Sequence, residues 1–170
     1  MGAHEVHIGS DAPKVVNVII EIPRGSGNKY ELDKETGMIF LDRVQPTNLK
    51  QPADYGYVPE TLGEDGDPLD ALIVIDEPLF PGVVVPCRVI GVINMIDDGE
   101  RDEKLVCVAA DDKHYEHVAS VSDLGAHFKD KVTHYFEHYK DLQDKEVEIA
   151  SWGSADDAYV IIEKYRLDKK

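Results

Sequence analysis

The chain has 170 residues and a formal net charge of −16, from 34 acidic against 18 basic side chains. That length suits one domain, 1–170, with a single core, and no repeat or low-complexity linker divides it. The acidic excess argues against a nucleic acid or an anionic membrane as partner, since both need basic surface. No stretch approaches the ~20 apolar residues of a membrane span, and residues 1–13, read as an N-terminal extension, lack a basic-then-apolar signal pattern. A cytoplasmic protein is expected. Cys87 and Cys107 each sit in an apolar run and read as buried free thiols.

In chain order, Val15–Ile22 reads as a strand ended by Pro23 and the Gly25-Ser26-Gly27 turn. Glu21 is the odd residue in it: simple alternation puts it on a solvated face, and the other reading is that it points into a polar site. Lys29–Asp33 and Met38–Val44 come next as a β-meander, with Lys29, Glu31 and Arg43 as alternating, solvent-facing charges. Residues 45–62 read as a long irregular loop punctuated by Pro46, Pro52 and Pro59, with Tyr55 as a loop anchor or a site residue.

Asp65-Gly66-Asp67-Pro68-Leu69-Asp70 places three carboxylates within six positions, with Gly66 and Pro68 stiffening the turn. Carboxylates this close repel one another unless a counter-charge arrives or a proton stays on. Hard divalent ions with oxygen ligands fit that need. An EF-hand is excluded: counting from Asp65, Leu69 and Asp70 fall where that loop needs an oxygen ligand and a glycine, and the twelfth position is Asp76. The next residues, Ala71–Ile75, form a β-branched run that reads as a buried strand, and Asp70 at its mouth is costly unless paired or ligated.

Further β structure spans Val83–Met95 and Lys104–Ala109, joined by a second acidic turn from Asp97 to Lys104. On a barrel, both acidic turns reach one rim and pool their carboxylates. Ser122 and Asp123 are candidate caps for a helix with apolar positions Leu124, Phe128, Val132, Tyr135, Phe136 and Tyr139. Glu146–Trp152 reads as a short strand and Asp156–Leu167 as a C-terminal helix, followed by Lys169-Lys170, whose charge suits the dipole. The predicted architecture is α+β: a small closed five-stranded β-barrel, OB-like, with two flanking helices. Pooled carboxylates beside lysines, arginines and tyrosines are the parts for binding Mg²⁺ with a phosphate compound and hydrolysing it.

The spacing of Glu21, Lys29-Tyr30-Glu31, Arg43, Tyr55-Gly56-Tyr57, the acidic hexapeptide, Asp97 with Asp102 and Lys104, and His138-Tyr139-Lys140 resembles the soluble inorganic pyrophosphatases of family I, bacterial type. The likeness runs from Val15 to Lys140. It implies Mg²⁺-dependent hydrolysis of pyrophosphate to two orthophosphates. By the same resemblance Asp65, Asp70 and Asp102 match the ligands of one metal ion, Asp70 being shared with a neighbouring ion. Asp97 and Asp102 match ligands of substrate-borne ions, and Asp67 matches the general base on a bridging water. Lys29, Arg43, Lys104, Tyr139 and Lys140 match phosphate contacts, Tyr55 a hydroxyl near the metals, and Glu21 and Glu31 outer acidic groups acting partly through water. This overturns the solvent-facing reading of Glu21, Glu31 and Lys29. One departure is visible: Gln51 stands where many members carry an aromatic residue, which implies a more polar or looser pocket wall.

Two rivals remain. A non-catalytic metal-binding barrel would want a closed coordination shell and no substrate anchors, and an OB-like nucleic-acid module would want a basic, aromatic-lined face. The predicted helix also carries His127, Lys131, His134, His138 and Asp141 on a second face. The resemblance implies a homo-hexamer, a dimer of trimers, with the His-x-x-x-His pair at subunit contacts; imidazoles crowded there resist protonation unless Asp141 compensates, so the contacts are expected to weaken as pH falls.

Overall fold

The computed structural model describes residues 5–169. The strands are β1 (Val15–Ile22), β2 (Asn28–Leu32), β3 (Ile39–Val44), β4 (Asp54–Tyr57), β5 (Asp70–Val74), β6 (Val84–Asp97), β7 (Glu100–Ala109) and β8 (Val147–Ser154). Helix α1 (Ala126–His138) lies between β7 and β8, and α2 (Ala155–Tyr165) closes the described chain. The fold is α+β, with a mostly sheet core and two helices, as the sequence indicates.

β1 pairs antiparallel with β4 on one side and with β6 on the other. β4 pairs antiparallel with β5, β5 parallel with β7, and β7 antiparallel with β6. The ladder thus runs from β1 through β4, β5, β7 and β6 and returns to β1. The second half of β6 also carries β8, while β2 and β3 form a separate hairpin.

β5 and β7 are buried on both faces, which explains their continuous apolar runs. Ala71, Ile73, Leu105 and Cys107 join one core cluster with Ala158, Ile162 and Tyr165 of α2. Leu72, Val106 and Val108 join the other with Val132, Tyr135 and Phe136 of α1. The two helices therefore cover opposite faces of these strands, and each buried aliphatic side chain contributes roughly 1.5–3 kcal/mol. Both cysteines are buried and free. In the segment read as an N-terminal extension, Ile8 is in the core and its N–H donates to Glu60 Oε2 at 3.0 Å. Met1 to His4, and Lys170 of the ionic tail, lie outside the described residues.

The structure corrects four details. Residues 45–62 are not wholly irregular, because Asp54–Tyr57 forms β4 between β1 and β5. Gly56 makes this possible: a Cβ there would stand 2.1 Å from the Ile19 carbonyl oxygen. The second acidic turn is only Asp98-Gly99, both at positive φ as a tight hairpin requires, so Asp102 and Lys104 belong to β7. The box formed by Ser120 and Asp123 caps a 3₁₀ turn, Val121–Leu124, and α1 starts after Gly125 rather than at Ser122. Ser154 and Asp157 make the reciprocal capping box of α2, which begins one residue before Asp156.

Candidate active site

The acidic hexapeptide is a turn held from below. Gly66 takes φ 84°, and the chain closes on itself through Asp67 N to Asp65 Oδ1 at 3.1 Å and Gly63 N to Asp67 O at 2.7 Å. Underneath, the buried Thr61 hydroxyl accepts from Leu69 N at 2.9 Å and donates to Val58 O at 2.7 Å. Asp65 and Asp67 are left exposed, while Asp70 becomes the first residue of β5 and turns inward.

Register then places the partners. Asp70 lies opposite Lys104 in the parallel β5–β7 pair, and Tyr55 lies opposite Leu72 in the β4–β5 pair. The Lys104 ammonium donates to Tyr55 Oη at 2.7 Å, to Asp70 Oδ2 at 3.1 Å and to Asp102 Oδ2 at 3.2 Å. Its donors are thereby engaged, as a lysine only 2% exposed requires. Tyr55 in turn donates to Asp70 Oδ2 at 2.5 Å. Burial opposes the Lys104 charge, but Tyr55, Asp70 and Asp102 outweigh it and hold the ammonium above its usual range. Burial, with Asp102 nearby, pushes Asp70 up against the pull of Lys104. Asp65 is raised as well, by burial and by Asp102, Asp67 and Asp70.

A cleft of about 370 Å³ opens above this cluster, lined by Asp65, Asp67, Asp70, Asp97, Asp102, Tyr55, Tyr139, Lys29, Arg43, Lys104 and Lys140. Lys29 and Arg43 are cross-strand neighbours on the β2–β3 hairpin, and both contact Asp42, at 3.5 Å and 2.9 Å. Lys140, just beyond α1, reaches Asp97 Oδ2 at 2.5 Å. Glu21 and Glu31 line an adjoining pocket of about 140 Å³ that shares Lys29, Tyr55, Asp67 and Asp70 with the cleft. All thirteen residues singled out in the sequence therefore surround one continuous depression.

Glu21 gets there by a bulge. The β1–β4 register pairs Ile20 with Gly56 and Ile22 with Tyr55, so Glu21 is the extra residue and its side chain is re-aimed. It is 9% exposed, accepts from Leu32 N at 2.9 Å, and burial with the charges of Asp70 and Glu31 lifts its pKa to about 7.

The cleft also contains residues that the sequence reading did not assign: Gln45, Asp98, Glu100, Tyr135 and Lys145. Asp98 and Glu100 fall within the acidic run from Asp97 to Lys104, whose charge is the signal for them. Tyr135 reads as core from its helical period, and its ring is buried while its hydroxyl reaches Gln51 Oε1 at 3.1 Å.

The donor set suits a hard divalent cation, being all oxygen, with Asp65 and Asp70 raised by burial and by their acidic neighbours. The cage is not preformed: among the described residues no three His, Cys, Asp or Glu side chains converge on one point. Lys104 instead holds Asp70 and Asp102, and the carboxylates of the acidic turn remain exposed to receive an ion.

The Pyrophosphatase family model, described as inorganic pyrophosphatase, matches residues 18–169. The inorganic pyrophosphatase of Geobacillus stearothermophilus is 48% identical over 151 residues, covering 89% of this chain and 92% of that protein. That of Synechocystis is 46% identical over 150 residues, covering 88% and 89%. The crystal structure of the Thermus thermophilus inorganic pyrophosphatase superposes with a TM-score of 0.92 at 42% identity, covering 96% of this chain and 95% of that one. With this likeness spanning the whole cleft, the chain belongs to the inorganic pyrophosphatase family, hydrolases of the diphosphate bond.

Proposed function

We propose that this protein hydrolyses inorganic pyrophosphate to two orthophosphates with Mg²⁺, using Asp67 as the proton acceptor. The observation that carries the reading is that one cleft is lined by exposed Asp67, by carboxylates tied together by Lys104, and by the cations Lys29, Arg43 and Lys140. A purely structural metal site has no use for those cations, which weighs against the non-catalytic barrel.

Asp65, Asp70, Asp97 and Asp102 would hold Mg²⁺. When bound, Mg²⁺ supplies positive charge against the phosphoryl oxygens and the acidifying field that water needs to react at neutral pH. Lys29, Lys140 and the Arg43 fork bind and orient the phosphoryl groups, with the Tyr139 hydroxyl beside them. Lys104 and Tyr55 fix Asp70, Lys104 adding its charge beneath the phosphates, and Glu21 and Glu31 bound the site on its acidic side. The Asp67 carboxylate takes a proton from water as the water oxygen bonds to phosphorus. The bridging P–O bond breaks, and its electron pair leaves with the second phosphate.

We read the returning ladder as a closed five-stranded barrel in one domain, working in the cytoplasm; no helix among the described residues is long and apolar enough to cross a membrane. We further propose a homo-hexamer, a dimer of trimers, using the exposed His127, Lys131, His134 and His138 face of α1 together with Asp141, which lies beyond the helix in the 3₁₀ turn Asp141–Gln143.

Phosphate release from pyrophosphate tests the function. Rapid release with Mg²⁺, its loss in EDTA, and inhibition by Ca²⁺, whose larger and looser coordination suits the geometry poorly, are expected. Absence of release at millimolar Mg²⁺ would reject the reading.

A further inference from the structure

Gln51 is 5% exposed and lines the cleft, yet half of its amide is unanswered. Its backbone is pinned at both ends: Gln51 N donates to Ser26 O at 3.0 Å, and Gln51 O accepts from Gly25 N at 2.9 Å. Its Oε1 accepts from Tyr135 Oη at 3.1 Å, while the buried Nε2 has no acceptor among the described residues. The amide is oriented by its bond from Tyr135. The Tyr135 hydroxyl, its pKa lifted to about 12 chiefly by burial, stays protonated and needs an acceptor. The cleft that Gln51 lines also carries Lys29, Arg43, Lys104 and Lys140, cations that draw an oxyanion into it.

An unpaired buried N–H is costly in the free protein, and that cost is recovered only when an acceptor arrives. We propose that Gln51 is a specificity-determining residue, whose Nε2–H binds an oxygen of the phosphate group held in the cleft. This rests on the pyrophosphatase reading of the site. A positioned amide donor discriminates: it rewards an acceptor oxygen and leaves a ligand without one with an unmet donor. Orthophosphate carries the same oxygens, so Gln51 should hold product as well as substrate.

The test compares wild type with Gln51→Met, which keeps volume but removes both polar atoms, and Gln51→Glu, which keeps the acceptor for Tyr135 and turns the donor into an anion. Steady-state kinetics with pyrophosphate and Mg²⁺ give kcat and KM, inhibition by inorganic phosphate gives Ki, and melting is measured with and without phosphate. Losing a hydrogen bond to a charged group should raise KM and Ki about 10- to 100-fold in Gln51→Met, with a larger rise in Gln51→Glu. The melting temperature of phosphate-free Gln51→Met should stay near that of wild type, because the unmet Nε2 donor goes while the Tyr135 hydroxyl loses its acceptor.

Unchanged KM and Ki in a folded Gln51→Met overturn the proposal. So does a melting loss in phosphate-free Gln51→Met matched by Gln45→Met, since the buried Gln45 Oε1 also lacks a donor and the two amides would then serve each other. If Gln51→Met does not fold, a Ki for Gln51→Glu equal to wild type overturns it equally. Should wild type itself release no phosphate, the reading of the whole site fails, and inorganic-phosphate melting shifts still judge Gln51 alone.

Discussion

Asp70 and Lys104 stand opposite one another in the parallel β5–β7 pair, and their side chains complete that register with an Oδ2–Nζ contact of 3.1 Å. Asp102, two residues along β7, shares the same ammonium at 3.2 Å. One cation therefore holds two carboxylates that would otherwise repel.

Replacing Lys104 by Met should cost about 3 kcal/mol in EDTA, since buried carboxylates lose their counter-charge. Millimolar Mg²⁺ should narrow that gap by binding the folded state. Urea unfolding with and without Mg²⁺ measures both, and a deficit that ignores Mg²⁺ would show that ion and lysine do not answer to the same carboxylates.

Asp67→Asn keeps the shape of the turn but removes the proton acceptor. A loss of roughly two to four decades in kcat at neutral pH, with an unchanged melting temperature, is expected. Near-wild-type turnover would remove Asp67 from the mechanism.

Glu21 sets a pH dependence with a definite sign. Its pKa rises from 4.5 to about 7 on folding, chiefly through burial, so between those values the native state binds the extra proton. The stabilisation is complete below 4.5 and is lost as pH rises through 7, up to roughly 3 kcal/mol. In EDTA, Glu21→Gln should abolish this slope and be the more stable protein at pH 8. Parallel melting profiles for the two proteins from pH 5 to pH 8 would contradict it.

Assembly is checked by light scattering. Six copies of the 19.0 kDa chain are expected at pH 8, and smaller species at pH 5. On α1 the His134 and His138 rings lie 4.9 Å apart, and His138 Nδ1 is 2.8 Å from Asp141 Oδ2. One or two subunits at pH 8 would reject the hexamer, and a hexamer that persists at pH 5 would reject the histidines as its pH-sensitive contact.

Much of this was legible in the sequence because it is local. β1, β5, the length of β6 and both helices come from runs and periods, and Asp65-Gly66-Asp67 is a turn by its own chemistry. The features that escaped depend on distant partners. β4 is only four residues long and is a strand because β1 and β5 flank it. Glu21 reads as solvent-facing under strict alternation, and a bulge breaks that alternation at its own position. The three-way grip of Lys104 requires the β5–β7 register, which no neighbouring residue announces. The unanswered amide of Gln51 depends on Tyr135, far along the chain in α1.

Helix α1 ends at His138, and the next two residues, Tyr139 and Lys140, line the cleft. A surface that settles on His138 and a phosphate that settles on Lys140 thus pull on the same helical end. Any free energy by which one tightens the other must be returned in equal measure. If pyrophosphate or orthophosphate favours association at low protein concentration, dilution must weaken the grip on phosphate by the same factor, and if it opposes association, dilution must strengthen that grip equally.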